Sequence, residues 1–248
     1  MNSSKIFKSV AATLVIIGFG IGAPAWSGTI IDEWDSVKAP KAPQLKQITV
    51  DAKDTALVVM DLQNTSCTMK RRPRCVASLK PIQDLLKRAR AAKMTVAHTI
   101  TSRGSLEKLL PEVKPISGEP YIKAPVDKFH GEELTKFLKD KGVKQVILVG
   151  TSAEGAVIGA ATGAAMRGFK VIVPVDGMSS GSPFMEKYAA LHLTKAPGTR
   201  RVLTLTRIDM ITIKGMMPSM GDITSGGTMG DKSGSNNPLD AVKGLFGR

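Results

Sequence analysis

The residues with the clearest potential for chemistry form a turn between Gly150 and Ala156. Apolar residues before the turn predict a buried strand, and the small residues after it predict a helix. A sharp turn from a strand into a helix is where α/β enzymes often carry a nucleophile. Backbone N–H groups at a helix start can stabilise an oxyanion, and Thr151, Ser152 and Gly155 lie there. The position where the nucleophile is expected is Ala156, which has only a methyl group.

Two carboxylates are expected in or near this turn, Asp61 and Glu154. Asp61 follows a buried strand that begins at Thr55, and partial burial there would raise its pKa towards values useful for acid–base chemistry. Ligands bind at the carboxyl ends of strands in parallel sheets, so Asp61 is expected near the turn. Glu154 is a candidate to orient a water molecule, and its spacing from Thr151 also predicts a capping box. The alternative for Asp61 is a residue that only caps a turn.

Two lysines lie in a segment just before another predicted helix, Lys123 and Lys128. A lysine beside a carboxylate can orient it and stabilise developing negative charge. The alternative for each is an ordinary exposed lysine.

The chain has two cysteines, Cys67 and Cys75, on either side of a short basic run. In an oxidising compartment they are expected to form a local disulfide that contributes about 2–3 kcal/mol in the chain-entropy model. In a reducing compartment they would be free thiols.

The N-terminus predicts export. Lys5 and Lys8 precede an apolar run from Val10 to Ile21, and Ala23-Pro24-Ala25 follows. This is the pattern of a secretory signal, with cleavage expected near Ala25 and a periplasmic or secreted product. The alternative is an uncleaved anchor, and only then is contact with a membrane expected.

The charge of the chain is positive, with a formal net value of +14. Loss of Lys5 and Lys8 with the signal would leave +12, because residues 1–25 contain no acidic residue. The positive charges are spread widely, and export disfavours nucleic acid as a partner. A small molecule is the expected ligand, and the basic surface would suit an anionic one. The alternative is a basic surface that serves only solubility.

Strands alternate with helices over the central part of the chain. This predicts an α/β fold, a three-layer Rossmann-like parallel sheet of about six strands with helices on both faces. The predicted division is a signal at 1–25, an extended arm at 26–53, the α/β domain at 54–212 and a flexible Gly/Ser/Met-rich tail at 213–248. The predicted strands are 55–61, 94–100, 144–149, 170–175 and 202–206, and the predicted helices are 76–93, 131–141, 153–167 and 183–193.

Three motifs in order resemble the isochorismatase-like cysteine hydrolase family. They are Asp61-Leu62-Gln63-Asn64, the lysine at Lys123, and the turn and helix from Gly150 to Gly168. The resemblance extends over roughly residues 55–206. It implies an Asp–Lys–Cys triad in which Asp61 is the acid/base, Lys123 is the lysine (Lys128 being the alternative) and Ala156 occupies the cysteine position.

The missing cysteine leaves two functions open. One is a hydrolase of a small amide, ester or enol-ether without the usual thiol, since the family also includes enzymes that cleave vinyl ethers. The other is an inactive member that binds a ligand or acts as a scaffold. Members of this family often assemble, so the resemblance implies a homo-oligomer. No cofactor is expected, and no metal, because His98, His130 and His192 are dispersed.

Overall fold

The computed structural model describes residues 28–214, so the predicted signal and most of the predicted tail lie outside the described residues. The strands are β1 (Ile48–Asp51), β2 (Thr55–Met60), β3 (Thr95–Thr101), β4 (Tyr121–Ala124), β5 (Gln145–Thr151), β6 (Lys170–Pro174), β7 (Met178–Ser179), β8 (Leu203–Thr206) and β9 (Ile211–Lys214). The α-helices are α1 (Ile30–Glu33), α2 (Pro73–Ala91), α3 (Glu133–Asp140), α4 (Ile158–Met166) and α5 (Pro183–Lys195).

The main sheet is parallel, with the strand order β4-β3-β2-β5-β6-β8 and the short β7 paired to β5. The α/β fold class predicted from the alternation of strands and helices is therefore confirmed. The sheet has seven strands rather than about six. The strands β4 and β7 were not predicted, because four and two residues are too short to show a periodic pattern.

Helices cover both faces of this sheet. Successive residues of β2 alternate between two apolar clusters, with Val58 in one and Leu57 and Val59 in the other. This alternation is the period of two that a strand imposes on its side chains. The first cluster contains the buried apolar side chains of α3, α4 and α5, and the second contains those of α2. No helix among residues 28–214 is long and apolar enough to cross a membrane.

The predicted limits of the arm and the tail are corrected by a second, two-stranded sheet. Strand β1 pairs in parallel with β9, and Val50 and Ile213 are buried in the same cluster as α2. Residues 48–51 therefore belong to the α/β domain rather than to an extended arm, and residues 213 and 214 form part of a strand rather than of the tail. A compact unit begins at Ala42, and the described residues before it, 28–41 with α1, belong to a separate unit.

Strands β2 and β5 lie side by side at the centre of the sheet, and Met60 pairs with Gly150 at their carboxyl ends. Gly150 has a φ of +132°, and a Cβ atom built on it would lie 2.0 Å from the carbonyl oxygen of Met60. Only glycine tolerates this approach. The close contact brings Asp61, which follows β2, and Thr151, the last residue of β5, to the same edge of the sheet.

Candidate active site

Asp61 is held at this edge by its backbone. Its φ of +57° lies in the left-handed region, which is uncommon for a residue other than glycine. Its N–H donates a hydrogen bond to the carbonyl oxygen of Thr99 in the neighbouring strand β3. The side chain is buried, as the strand-end position predicted, and a non-glycine residue in this conformation is often found at a functional site.

Lys128 is the lysine that the structure brings to Asp61. Its Nζ lies 2.7 Å from Oδ2 of Asp61, and both side chains are almost fully buried. The ammonium also donates to the carbonyl oxygen of Pro125 at 2.8 Å. Lys123, the first choice by resemblance, is exposed on β4. The contact with Asp61 is thus made by Lys128, the alternative, because alternate residues of β4 point away from the core and Lys123 is one of them.

Burial raises the pKa of the Asp61 carboxyl from its ordinary value of 3.8. The positive charge of Lys128 acts in the opposite direction, and that of Arg72 does so more weakly. A carboxyl group whose pKa is raised can hold a proton closer to neutral pH, which suits it to donate and recover a proton during a reaction.

A pH titration of stability tests this direction. A folded-state pKa above the unfolded value means that the native protein binds the proton more tightly, so the stabilisation is present below about pH 3.8 and is lost as pH rises through the folded pKa. We expect the unfolding free energy of the wild type, measured against Asp61→Asn by denaturant titration from pH 3 to 8, to fall over this window. A difference that grew with pH would contradict the raised pKa.

The turn after β5 departs from the predicted helix start. Residues Ala153–Val157 form a π-helical turn before α4, and the peptide bond between Thr151 and Ser152 is cis. The predicted capping box is wrong, because the hydroxyl of Thr151 donates to the carbonyl oxygen of Ser179 instead. The N–H of Gly155 donates to the carbonyl oxygen of Ser152, so this candidate oxyanion donor is already engaged.

Asp61, Lys128 and Ala156 line one cleft of about 380 Å³. The other lining residues are Ser66, Arg72, Thr101, Ser102, Ala124, Pro125, Val126, Thr151, Ser152 and Gly155. Glu154 does not belong to this lining, and its Oε2 is buried without a hydrogen-bond partner. Of the candidates, the structure thus assembles the acid, one lysine, the alanine and the turn, and leaves Glu154 and Lys123 outside.

Arg72 is the charged residue of the cleft that sequence reasoning missed. Its Nη1 donates to the hydroxyl of Thr151 at 3.1 Å. It lies in the loop that the disulfide between Cys67 and Cys75 closes, with the two Cα atoms 5.3 Å apart. The signal that could have found it is the position of this loop, which begins six residues after Asp61 and must therefore stay near the strand end.

The arrangement can transfer a proton, but it offers no thiol. Both cysteines of the chain are in the disulfide, so neither can attack a substrate. Among residues 28–214, no group of three or more His, Cys, Asp or Glu side chains is placed to hold a metal ion. What the cleft offers is a buried acid, two cations and the hydroxyls of Ser66, Thr101, Ser102, Thr151 and Ser152.

Comparison with known proteins agrees with this architecture. The family model of the isochorismatase domain matches residues 55–206. No curated protein matches the chain. An isochorismatase family protein from Desulfovibrio vulgaris is a structural neighbour with a TM-score of 0.56 and 20% identity, over 63% of this chain and 95% of that one. The N-carbamoylsarcosine amidase of Thermoplasma acidophilum has a TM-score of 0.54 and 21% identity, over 63% and 97%. The nicotinamidase of Staphylococcus aureus has a TM-score of 0.53 and 19% identity, over 62% and 99%.

Proposed function

Because the chain belongs to the isochorismatase domain family, we propose that it is a hydrolase that cleaves a small molecule by acid–base chemistry, without a covalent thiol intermediate. The observation that carries this proposal is the buried pair of Asp61 and Lys128, 2.7 Å apart and open to a cleft that Ala156 also lines. The resemblance to the family implies a cysteine at the position of Ala156. The acid and its cation are in contact although the thiol is missing.

An enol-ether is the bond that suits these groups best. Its cleavage begins when an acid protonates the outer vinylic carbon, which leaves a carbon cation stabilised by the ether oxygen. Water then adds to this cation, and the adduct collapses to a ketone and an alcohol while its surplus proton returns to the carboxylate. Asp61 can supply and recover that proton, and Lys128 orients the carboxylate between the two steps. One water molecule is consumed and no other reactant is needed.

An amide fits the cleft less well. Its carbonyl carbon must be attacked by a strong nucleophile, and a covalent intermediate divides this difficult step into two easier ones. The methyl group of Ala156 cannot form such an intermediate. Asp61 would have to activate water directly against a poor leaving group, so we place amides and esters below enol-ethers as substrates.

The second candidate is a protein that binds a small ligand without turnover. The methyl group of Ala156 favours it, since the cleft has charged side chains that could bind a ligand but no nucleophile at position 156. The two candidates differ in one observable. The hydrolase releases a product from some small enol-ether, whereas the binding protein shows affinity and no product.

We also propose that the protein acts outside the cytoplasm. The signal-like N-terminus supports export, and a disulfide between Cys67 and Cys75 suits an oxidising compartment. Mass spectrometry of the protein from its native cells tests this. Mature protein that begins after Ala25 and carries the disulfide is expected, and a reduced chain that retains residues 1–25 would contradict it.

A thiol introduced at Ala156 tests whether the turn still favours a nucleophile. Nearby positive charges lower the pKa of a thiol, and the cleft contains Arg72 and Lys128. We expect Ala156→Cys to have a thiol pKa below about 7.5, measured from the pH dependence of alkylation by iodoacetamide.

The matched control for this substitution is Met166→Cys. Met166 is 78% exposed at the other end of α4, so its thiol is expected to titrate near the ordinary value of about 8.5. If the thiol at 156 titrated at or above the control, the turn would no longer provide an environment for a nucleophile.

The proposed hydrolysis is tested with 2-methoxyacrylate, a small enol-ether whose cleavage yields pyruvate and methanol. Pyruvate is followed continuously with lactate dehydrogenase and NADH. The proposal is supported if the protein releases pyruvate faster than buffer alone and if this rate depends on Asp61. If the protein binds this and related small enol-ethers but releases no product, the binding protein is favoured instead.

A further inference from the structure

Arg72 contributes a positive charge to the cleft that forms no ion pair with the described residues and acts on the Asp61 carboxyl only weakly. Lys128 is paired with Asp61 at 2.7 Å. Arg72 has one side-chain partner, the hydroxyl of Thr151, and no carboxylate of residues 28–214 lies within ion-pair distance of it. A guanidinium has five N–H donors in a planar fork, so a single hydroxyl leaves most of its donor capacity unused.

The guanidinium faces the same space as the acid. Arg72 lines the cleft together with Asp61 and Lys128. Its side chain is half-buried, which reduces competition from water for its donors. The unused N–H donors of Arg72 can therefore bind an anionic group of a ligand in the cleft.

The loop that carries Arg72 is held by a disulfide and by side-chain contacts of the neighbouring arginines. The disulfide joins Cys67 to Cys75 across its base. Nη1 of Arg71 donates to the carbonyl oxygen of Thr65 at 2.8 Å. Arg74 forms an ion pair with Glu186 of α5, with Nε 2.8 Å from Oε1. These contacts fix the backbone on both sides of Arg72, so its side chain reaches the cleft from a rigid support.

We propose that Arg72 binds an anionic oxygen group, a carboxylate or a phosphate, on the small molecule that occupies the cleft, and that the Cys67–Cys75 disulfide holds Arg72 in place to do so. The planar fork of arginine matches the two oxygens of such a group. The hydroxyl of Thr151, which accepts from Arg72 and donates to the carbonyl oxygen of Ser179, fixes the orientation of the fork. This inference deepens the proposed function and rests on the cleft being its ligand site.

Binding of simple anions tests the proposal without any knowledge of the substrate. Benzoate and inorganic phosphate are the probes, and benzamide is the neutral counterpart of benzoate. Dissociation constants are measured by isothermal titration calorimetry for the wild type and Arg72→Gln. We expect the wild type to bind at least one anion more tightly than benzamide, and Arg72→Gln to bind that anion about tenfold or more weakly.

The matched control is Lys70→Gln. It removes the same charge from the same loop, but Lys70 is exposed and does not line the cleft. Arg72→Lys keeps the charge and loses the fork, so an intermediate affinity is expected. An anion affinity that falls equally in Lys70→Gln and Arg72→Gln, or anions that bind no better than benzamide, would overturn the proposal.

The disulfide is tested with Cys67→Ser/Cys75→Ser and with the wild type treated with a reductant. Both are expected to lose affinity for the anion, and re-oxidation of the wild type is expected to restore it. Near-ultraviolet circular dichroism identifies any variant that has lost its fold, and for such a variant the reductant cycle decides. Unchanged affinity in the reduced, folded protein would remove the disulfide from the proposal.

The binding assay separates this inference from the proposed hydrolysis. Arg72-dependent anion binding without turnover of any enol-ether retains the inference and rejects the hydrolase. Turnover that depends on Asp61, with anion binding independent of Arg72, retains the hydrolase and rejects the inference about Arg72.

Discussion

Replacing Asp61 with Asn is expected to lower the rate of enol-ether cleavage by about 100- to 10,000-fold, the range that general acid–base catalysis contributes. Asn has nearly the same shape and fits the same backbone position, but it cannot donate or recover the proton. The loss is expected in kcat, measured by pyruvate release under saturating substrate, because the ligand's contacts with the rest of the cleft remain.

The control for this substitution is Asp140→Asn, the same chemical change on the exposed face of α3. It is expected to leave kcat unchanged. An Asp61→Asn enzyme with at least half of the wild-type rate would remove Asp61 from the mechanism, and with it the role assigned to the buried pair.

Replacing Lys128 with Met is expected to destabilise the fold by about 3–5 kcal/mol, which is typical when one partner of a buried ion pair is removed. The side chain of Lys128 is 1% exposed, and its ammonium offsets the burial of the Asp61 carboxylate. Without it, Asp61 must be buried unpaired or take up a proton. Urea unfolding at pH 7 measures the change.

Two further variants make this prediction specific. Lys136→Met breaks an exposed ion pair with Asp140 and is expected to cost about 1 kcal/mol or less. The double variant Asp61→Asn/Lys128→Met removes both charges and is expected to recover part of the stability lost in Lys128→Met. If Lys128→Met cost no more than Lys136→Met, the pair would not be the buried, coupled unit described here.

The sheet and the place of the acid could be predicted because their signals are local. Continuous apolar residues mark β2 and β5, and the rule that ligands lie at the carboxyl ends of parallel strands places Asp61 near the turn. Strands β1 and β9 could not be predicted. They are short, and each is a strand because the other pairs with it, a contact between residues about 160 positions apart.

The choice between the two candidate lysines could not be predicted from their spacing in the sequence. Lys123 and Lys128 are five residues apart in one segment, and only the path of the chain after β4 decides which of them is buried. Arg72 was missed for a related reason. A basic run between two cysteines resembles any exposed loop until the anchored loop places one of its arginines in the cleft.

The central claim is that this cleft performs hydrolysis without a thiol. The most direct measurement compares 2-methoxyacrylate with nicotinamide as substrates of the wild-type protein, before and after treatment with iodoacetamide. The account predicts cleavage of the enol-ether, a rate that iodoacetamide leaves unchanged, and little or no release of ammonia from nicotinamide. Faster cleavage of the amide, sensitivity to iodoacetamide, or no cleavage of either substrate would contradict it.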